Sequence, residues 1–485
     1  MKLVYDIADK PPIKKNLIFA LQQLLAIMAA TLLVPVLVDG TGAYMSQPAA
    51  LCGAGFGTLF YIFVTKKKSP VFLGSSFAFI APLCGAVAFG FLGIFLGAVF
   101  AGLVYVLLAV IVKFTGSKWI NKLMPPVVIG PTVALIGLSL CGSAVNNIAN
   151  LNGNATILNI AGFAGGELNV TALLNGAVTY EGVTNISKNF YSLWHILIAI
   201  VAFFITVYAS TKGSKGMKLI PFVIGIVSAY VIALVMTLIG NATGYDAIKL
   251  VNLSAFENLQ LFELPRFNFL GMFGAYANDP ELPAAASKIG SFADVIEIFM
   301  LFAPVALVVL AEHIADHKNL STIINRDLTQ EPGLHRTLIG DGVGSIVGSF
   351  FGGCPNTTYG ESVGCVAITG NASVSTIVIA ALYCIVLSFF GPFTAFVNSI
   401  PSCITGGVCI ALYGFIAVSG LKMVQKVDLG DNRNLFVVAA ILVPGIGGLT
   451  LNLGPITISP IATALILGIL VNVIFNRRSK EEKAE

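Results

Sequence analysis

The chain has 485 residues, 56% hydrophobic and only 10% charged, with a mean hydropathy of +0.90 and a formal net charge of +4. A soluble globular domain carries about 25% charged residues, so this composition excludes an ordinary soluble enzyme and gives no reason to expect a nucleic-acid partner. Solid apolar runs of roughly 17–25 residues, without period-two alternation, exclude a β-barrel and leave an all-α polytopic membrane protein.

The first apolar run, from about 17 to 38, follows Lys2, Lys10, Lys14 and Lys15. It is long enough to span and lacks the short core and small-residue site of a cleaved leader, so it is expected to stay as the first membrane segment. Thirteen further segments follow, near 49–65, 71–88, 92–112, 125–142, 193–210, 219–240, 294–313, 338–353, 358–370, 374–391, 400–420, 435–450 and 457–475. With fourteen segments both termini share one side. Of the 27 basic residues, only Lys188, Lys249, Arg266 and Lys288 then fall on the other. The positive-inside rule puts both termini in the cytoplasm, in a cytoplasmic (inner) membrane, with long outer loops near 143–192 and 241–293.

Two halves repeat. Gly130-Pro-Thr-Val-Ala-Leu-Ile-Gly137 and Gly407-Val-Cys-Ile-Ala-Leu-Tyr-Gly414 share GxxxALxG, and Pro126 and Pro401 precede them. Gly74-Ser75-Ser76-Phe77 corresponds in the same order to Asn356-Thr357-Thr358-Tyr359, each a polar, strand-prone interruption of a short span (segments 3 and 10). Seven segments per half is an odd number, so the halves insert upside down relative to each other. Inverted repeats with broken helices meeting at midplane are the plan of many secondary transporters.

Chemistry is expected where charge lies at bilayer depth. Glu312 and Asp316 are four apart, so a helix stacks them on one face. Two carboxylates there repel and favour sharing a proton, as a proton-coupled carrier requires. His313 and His317 stack on a face rotated by about 100°. Glu361 follows Tyr359-Gly360; if it opens a half-helix after an extended run, unbonded backbone N–H groups lie beside its carboxylate. Donors and an acceptor together suit a neutral, planar, amide-like ligand better than an anion. Ser75, Ser76 and Phe77 form the facing piece, where the ring of Phe77 or Tyr359 can stack on the ligand and Tyr413 can wall it. Gly340-Asp-Gly-Val-Gly344 reads as close helix packing. The eight cysteines lack metal-type spacing, and neither metal nor cofactor is expected.

Four stretches carry a resemblance: Phe72-Leu-Gly-Ser-Ser-Phe77-Ala-Phe79; Ala311-Glu312-His313; Asp327 with Pro332-Gly-Leu-His-Arg336; and Pro355-Asn-Thr-Thr-Tyr359-Gly360-Glu361. With Glu361, Gly364, Thr369 and Gly370 at the signature spacing, the chain resembles the nucleobase–ascorbate transporter family, on its bacterial uracil permease branch. The resemblance implies proton-coupled uptake of a nucleobase, uracil before xanthine, by an elevator movement in a homodimer. The implied core comprises residues 1–123 (segments 1–4) and 293–392 (segments 8–11). The implied gate comprises 124–292 (segments 5–7 with their outer loops) and 393–476 (segments 12–14), and 477–485 is a cytoplasmic tail. It also implies that Glu312 and Glu361 hydrogen-bond the base, that Phe77 and Gly360 offer main-chain amides, and that Tyr413 approaches from the gate. The pattern has His four residues after the first glutamate; here Asp316 stands there and His317 is shifted by one. Gln22-Gln23 replaces a frequent Gln-His, and Glu361-Ser362 replaces the Gln-Asn of the purine branch.

Overall fold

The computed structural model describes residues 3–39, 43–116, 118–151, 155–156, 191–257, 259–276, 289–453 and 456–481. Most of the expected outer loop near 143–192, part of that near 241–293, and Lys2, Lys188, Lys288 and the end of the 477–485 tail lie outside the described residues.

All fourteen expected segments contain helix. In chain order these are α1 (Ile13–Val38), α2 (Gln47–Val64), α3 (Ile80–Val87), α4 (Gly90–Thr115), α5 (Pro126–Ser139), α6 (Tyr191–Thr211), α7 (Pro221–Thr243), α8 (Phe292–Ile324), α9 (Leu334–Phe350), α10 (Gly360–Thr369), α11 (Val374–Ser388), α12 (Ser402–Val424), α13 (Asn432–Ile446) and α14 (Pro460–Glu481). Shorter helices lie between some of them. Among the described residues, eight spans are long and apolar enough to cross a membrane, those of α1, α2, α4 to α8 and α12.

One boundary differs from expectation in a way that matters. The eighth segment does not end near residue 313; α8 runs 33 residues, to Ile324. It opens on a capping box in which Ser291 and Asp294 satisfy each other's backbone N–H groups, and closes on Asn325 at φ 55°. Past residue 313 the helix keeps one buried side, with His317 fully buried and Asp316 7% exposed, while Lys318 and Asn319 are exposed.

The two polar interruptions become strands. β1 (Leu73–Ser75) and β2 (Asn356–Thr358) pair antiparallel, Leu73 with Thr358, Gly74 with Thr357 and Ser75 with Asn356, the sense that two halves of opposite insertion give. Two strands leave ladder edges open, and buried edges need partners. Thr58 supplies one: its hydroxyl accepts from Leu73 N–H (3.0 Å) and donates to Leu73 O (3.1 Å). Ser345 supplies another by donating to Asn356 O at 2.7 Å.

The chain forms two compact units. Met1–Ser139, Gln260–Thr394 and Phe415–Glu485 make the first; Leu140–Leu259 and Ala395–Gly414 make the second. In the first, α9 packs against α2 and α4 through glycines, as expected for Gly340–Gly344. A Cβ on Gly342 would lie 2.7 Å from Gly102 O, and one on Gly344 3.0 Å from Gly57 O. The repeat glycine Gly130 faces Gly420 O in the same way, at 3.1 Å. In the second unit, α6, α7 and residues 403–408 share a core that includes Ile198, Ala202, Ala229, Ala233, Ile404 and Val408. There the other repeat glycine, Gly407, sits where a Cβ would lie 2.2 Å from Ala199 O. Core and gate are defined by what moves, whereas these units are defined by contact in one conformation.

Candidate substrate site

The first unit contains a cavity of about 60 Å3 at the strand pair. Two broken segments aim their helix starts at it. After β1 the chain turns through a single 3-10 turn, Phe77–Phe79, into α3. After β2 it turns at Tyr359 into α10, with Glu361 in the first turn. Val363 N–H bonds back to Tyr359 O at 3.1 Å, while the N–H groups before it have no acceptor within the helix. The turn is pinned from behind. Tyr359 donates its hydroxyl to Ser75 O at 2.6 Å, Tyr359 N–H bonds Phe72 O at 3.3 Å, Ser362 Oγ accepts from Phe72 N–H at 3.2 Å, and Gln23 donates to Ser362 O at 3.4 Å.

From α8 come Glu312, Ala315, Asp316 and Asn319, the i, i+3, i+4, i+7 stripe of one helix face. Opposite them lie Ser76, Phe77, Tyr359, Gly360 and Glu361. Glu312 and Glu361 are half-buried, each with surface left toward the space they share. Asp316 is tied to the strand: Thr358 donates to its Oδ2 at 3.0 Å. A Cβ on Gly360 would stand 3.6 Å from Asp316 Oδ1. Ser76 is 1% exposed, and its hydroxyl has no hydrogen-bond partner among the described residues. A buried hydroxyl without a partner is costly. Val133 of α5 and Phe415, Ile416, Ser419 and Met423 of α12 complete the wall.

Seven of the singled-out side chains thus line one space: Ser76, Phe77, Glu312, Asp316, Tyr359, Gly360 and Glu361. Two do not. Tyr413 belongs to the second unit and is buried there. His317 lies on the other face of α8, as its one-residue offset requires. Its ring stacks on His313 with centroids 4.1 Å apart, and Nε2 meets the Tyr61 hydroxyl at 2.8 Å. His313 in turn contacts Asp341 Oδ2 through Nδ1 at 2.6 Å and the Thr337 hydroxyl through Nε2 at 3.0 Å. Asp341, like Glu361, is a carboxylate inside a span, and in the sequence it lies within the Gly340–Gly344 glycine pattern. Asn319 was visible as the next member of the α8 stripe. The α12 residues carry no local signal, because only tertiary contact brings them to the cavity.

A family model named Xan_ur_permease and described as "Permease family" matches residues 14–214 and 172–454. The uracil permease of Bacillus caldolyticus is 38% identical over 481 residues, 98% of this chain and 96% of that protein. That of Bacillus subtilis (strain 168) is 35% identical over 489 residues, 100% and 98% of the two chains, and that of Escherichia coli (strain K12) is 32% identical over 97% and 93%. Among solved structures, the transmembrane domain of the cyanobacterial bicarbonate transporter BicA matches with TM-score 0.57 over 96% of this chain and 100% of its own, at 14% identity. SLC26A9 matches with TM-score 0.58 over 96% and 66%. At such identity these two speak for the fold alone. With a family match over most of its length and relatives above 30% identity from end to end, the chain belongs to the xanthine/uracil permease family, as a multi-pass membrane transporter and not an enzyme.

Proposed function

We propose that this chain carries a nucleobase, with uracil preferred, across the cytoplasmic membrane together with protons. The observation that carries this reading is the meeting of Glu312 and Glu361 with a helix start in one small cavity. A pyrimidine edge alternates ring N–H donors with carbonyl acceptors. Carboxylates match the first; backbone N–H groups and Ser76 match the second. The cavity is far below the roughly 300–1,000 Å3 of drug-sized sites, which suits a single ring. The name borne by the relatives supports uracil, as does Glu361-Ser362 in place of Gln-Asn.

In this mechanism Glu312 and Glu361 accept from ring N–H groups, the amides of Phe77 and Gly360 donate to ring carbonyls, and Tyr359 or Phe77 stacks on the ring. Tyr413 approaches from the gate. Glu312 and Asp316 share the coupling proton on their common helix face, with His317 behind them. The core (segments 1–4 and 8–11) moves against the gate (5–7 and 12–14) within a homodimer, and both termini face the cytoplasm. Support for one basic face comes from contacts among its parts. Asp6 pairs with Arg326 and Lys68 with Glu331, and Tyr5 bridges to Asn371.

The test is uptake of radiolabelled uracil into proteoliposomes under an imposed pH gradient. Accumulation should follow the gradient and collapse with a protonophore; accumulation indifferent to the protonophore removes proton coupling. A panel of unlabelled uracil, xanthine, sulfate and bicarbonate decides the substrate. Displacement by xanthine ahead of uracil makes this a purine carrier, and displacement by an anion makes it an anion carrier of the same architecture.

A further inference from the structure

A second and larger cavity, of about 980 Å3, opens on the face that carries the N-terminal segment, and shares no lining residue with the substrate cavity. Its rim is basic: Lys10, Lys66, Lys67, Lys68 and Arg326. The rim's acids are already engaged locally. Glu331 holds Lys68, Asp327 Oδ1 accepts from the N–H and hydroxyl of Thr329 at 2.9 and 2.6 Å, and Asp9 Oδ2 accepts from Asp6 N–H at 2.7 Å. Arg326 is held by Asp6. Among the described residues, no carboxylate pairs with Lys10, Lys66 or Lys67.

Two of these lysines occupy left-handed backbone, Lys66 at φ 54° and Lys67 at φ 59°. That conformation is uncommon outside glycine, and such outliers cluster at ligand clamps. The turn is fixed by N–H bonds from Lys66 to Phe63 O and from Lys67 to Ile62 O, at 3.1 and 2.9 Å. A helix C-terminus explains a cation there; it does not explain what faces it. The rest of the wall includes Ile7, Leu328, Val374, Val378 and Ile379. From Val378 an apolar stripe continues along α11 in steps of four through Leu382, 46% exposed, and Val386, 69% exposed. A soluble phosphate would use the lysines and leave this track bare. A phosphate head carrying a hydrocarbon tail uses both.

We propose that this cavity binds an anionic glycerophospholipid of the surrounding leaflet, its phosphate at Lys10, Lys66 and Lys67 and one acyl chain along Val378, Leu382 and Val386. The head group would bridge the N-terminal segment to the ends of α2, α8 and α11, steadying the helix that bears Glu312. None of this depends on which solute is carried.

The purified full-length protein is incubated in detergent with phosphatidylglycerol, phosphatidylcholine or glycerol 3-phosphate, and retained ligand is counted by native mass spectrometry. Phosphatidylglycerol should be retained at least tenfold over phosphatidylcholine. The double variant K66N/K67N, with asparagine chosen because it tolerates left-handed backbone, should lose at least tenfold of that retention. K66R/K67R should keep it, and Lys10→Gln, outside any helix, should lose at least threefold. Parental retention by both K66N/K67N and Lys10→Gln overturns the site. Retention of glycerol 3-phosphate equal to that of phosphatidylglycerol overturns the lipid assignment in favour of a soluble phosphate.

Discussion

Gly74→Ala is the smallest change that should damage the substrate site without substituting any residue that contacts the solute. Gly74 sits mid-strand in β1, paired with Thr357, and its φ is not in the left-handed region, so alanine meets no backbone obstacle. The obstacle is Tyr359. A Cβ on Gly74 would lie 2.4 and 2.5 Å from the Cε2 and Cζ atoms of that ring. Ordinary contact begins near 3.4 Å, so the ring must retreat by about 1 Å. It is 3% exposed and anchored by its hydroxyl to Ser75 O, which leaves little room. Overpacking of this kind costs about 1–3 kcal/mol, and breaking the hydroxyl bond adds about 0.5–1.5 kcal/mol. Because Tyr359 opens α10, the strain passes to Gly360 and Glu361, and binding sites tolerate only about 0.5 Å of such error. Binding of radiolabelled uracil to the purified protein should weaken at least tenfold, equivalent to about 1.4 kcal/mol. Tyr359→Leu made alone and with Gly74→Ala completes a cycle in which the two changes should couple, since the smaller residue removes the clash. Parental affinity in Gly74→Ala, or strict additivity in the cycle, would refute the steric argument.

Thr358→Val removes the donor to Asp316 Oδ2. Losing a hydrogen bond costs about 0.5–1.5 kcal/mol, so uracil uptake should fall several-fold, and parental uptake would mean that the bond does not position Asp316. Asp341→Leu leaves His313 Nδ1 without its partner at 0% exposure. The cost of about 1–3 kcal/mol should lower the thermal midpoint in detergent, and an unchanged midpoint would mean that the pair contributes nothing. At the exposed Lys68–Glu331 pair, the lysine amine holds the Glu331 carboxyl below its usual value of 4.5. A lowered carboxylate pKa contributes stability above the ordinary value, lost as pH falls through the folded value. Glu331→Gln should therefore leave the midpoint at pH 7 nearly unchanged, as exposed pairs do, and flatten its small decline below about pH 4.5.

Much of the architecture was legible because bilayer spans impose a strong, local signal of length and hydropathy. The paired strands were legible for a different reason: Gly74-Ser75-Ser76 and Asn356-Thr357-Thr358 interrupt apolar runs with residues that favour neither lipid nor helix. Glu312 and Asp316 could be placed on one face from spacing alone. The true end of α8 could not, because hydropathy falls after residue 313 whether the helix enters water or a polar protein interior. The same ambiguity concealed the His313–Asp341 contact, whose members come from two helices and 28 positions apart. Residues of α5 and α12 reach the cavity only through close glycine packing, Gly420 against Gly130 and Ala134, and the shared GxxxALxG covers one side of that contact only.

Uracil affinity of the purified parent, Glu312→Gln and Glu361→Gln, measured side by side by calorimetry, tests the two-carboxylate site most directly. Each variant exchanges a charged acceptor for a neutral amide of the same shape, so each should bind about 10- to 150-fold more weakly, the range set by about 1.5–3 kcal/mol. Parental affinity in both variants, with their fold intact, would contradict the account.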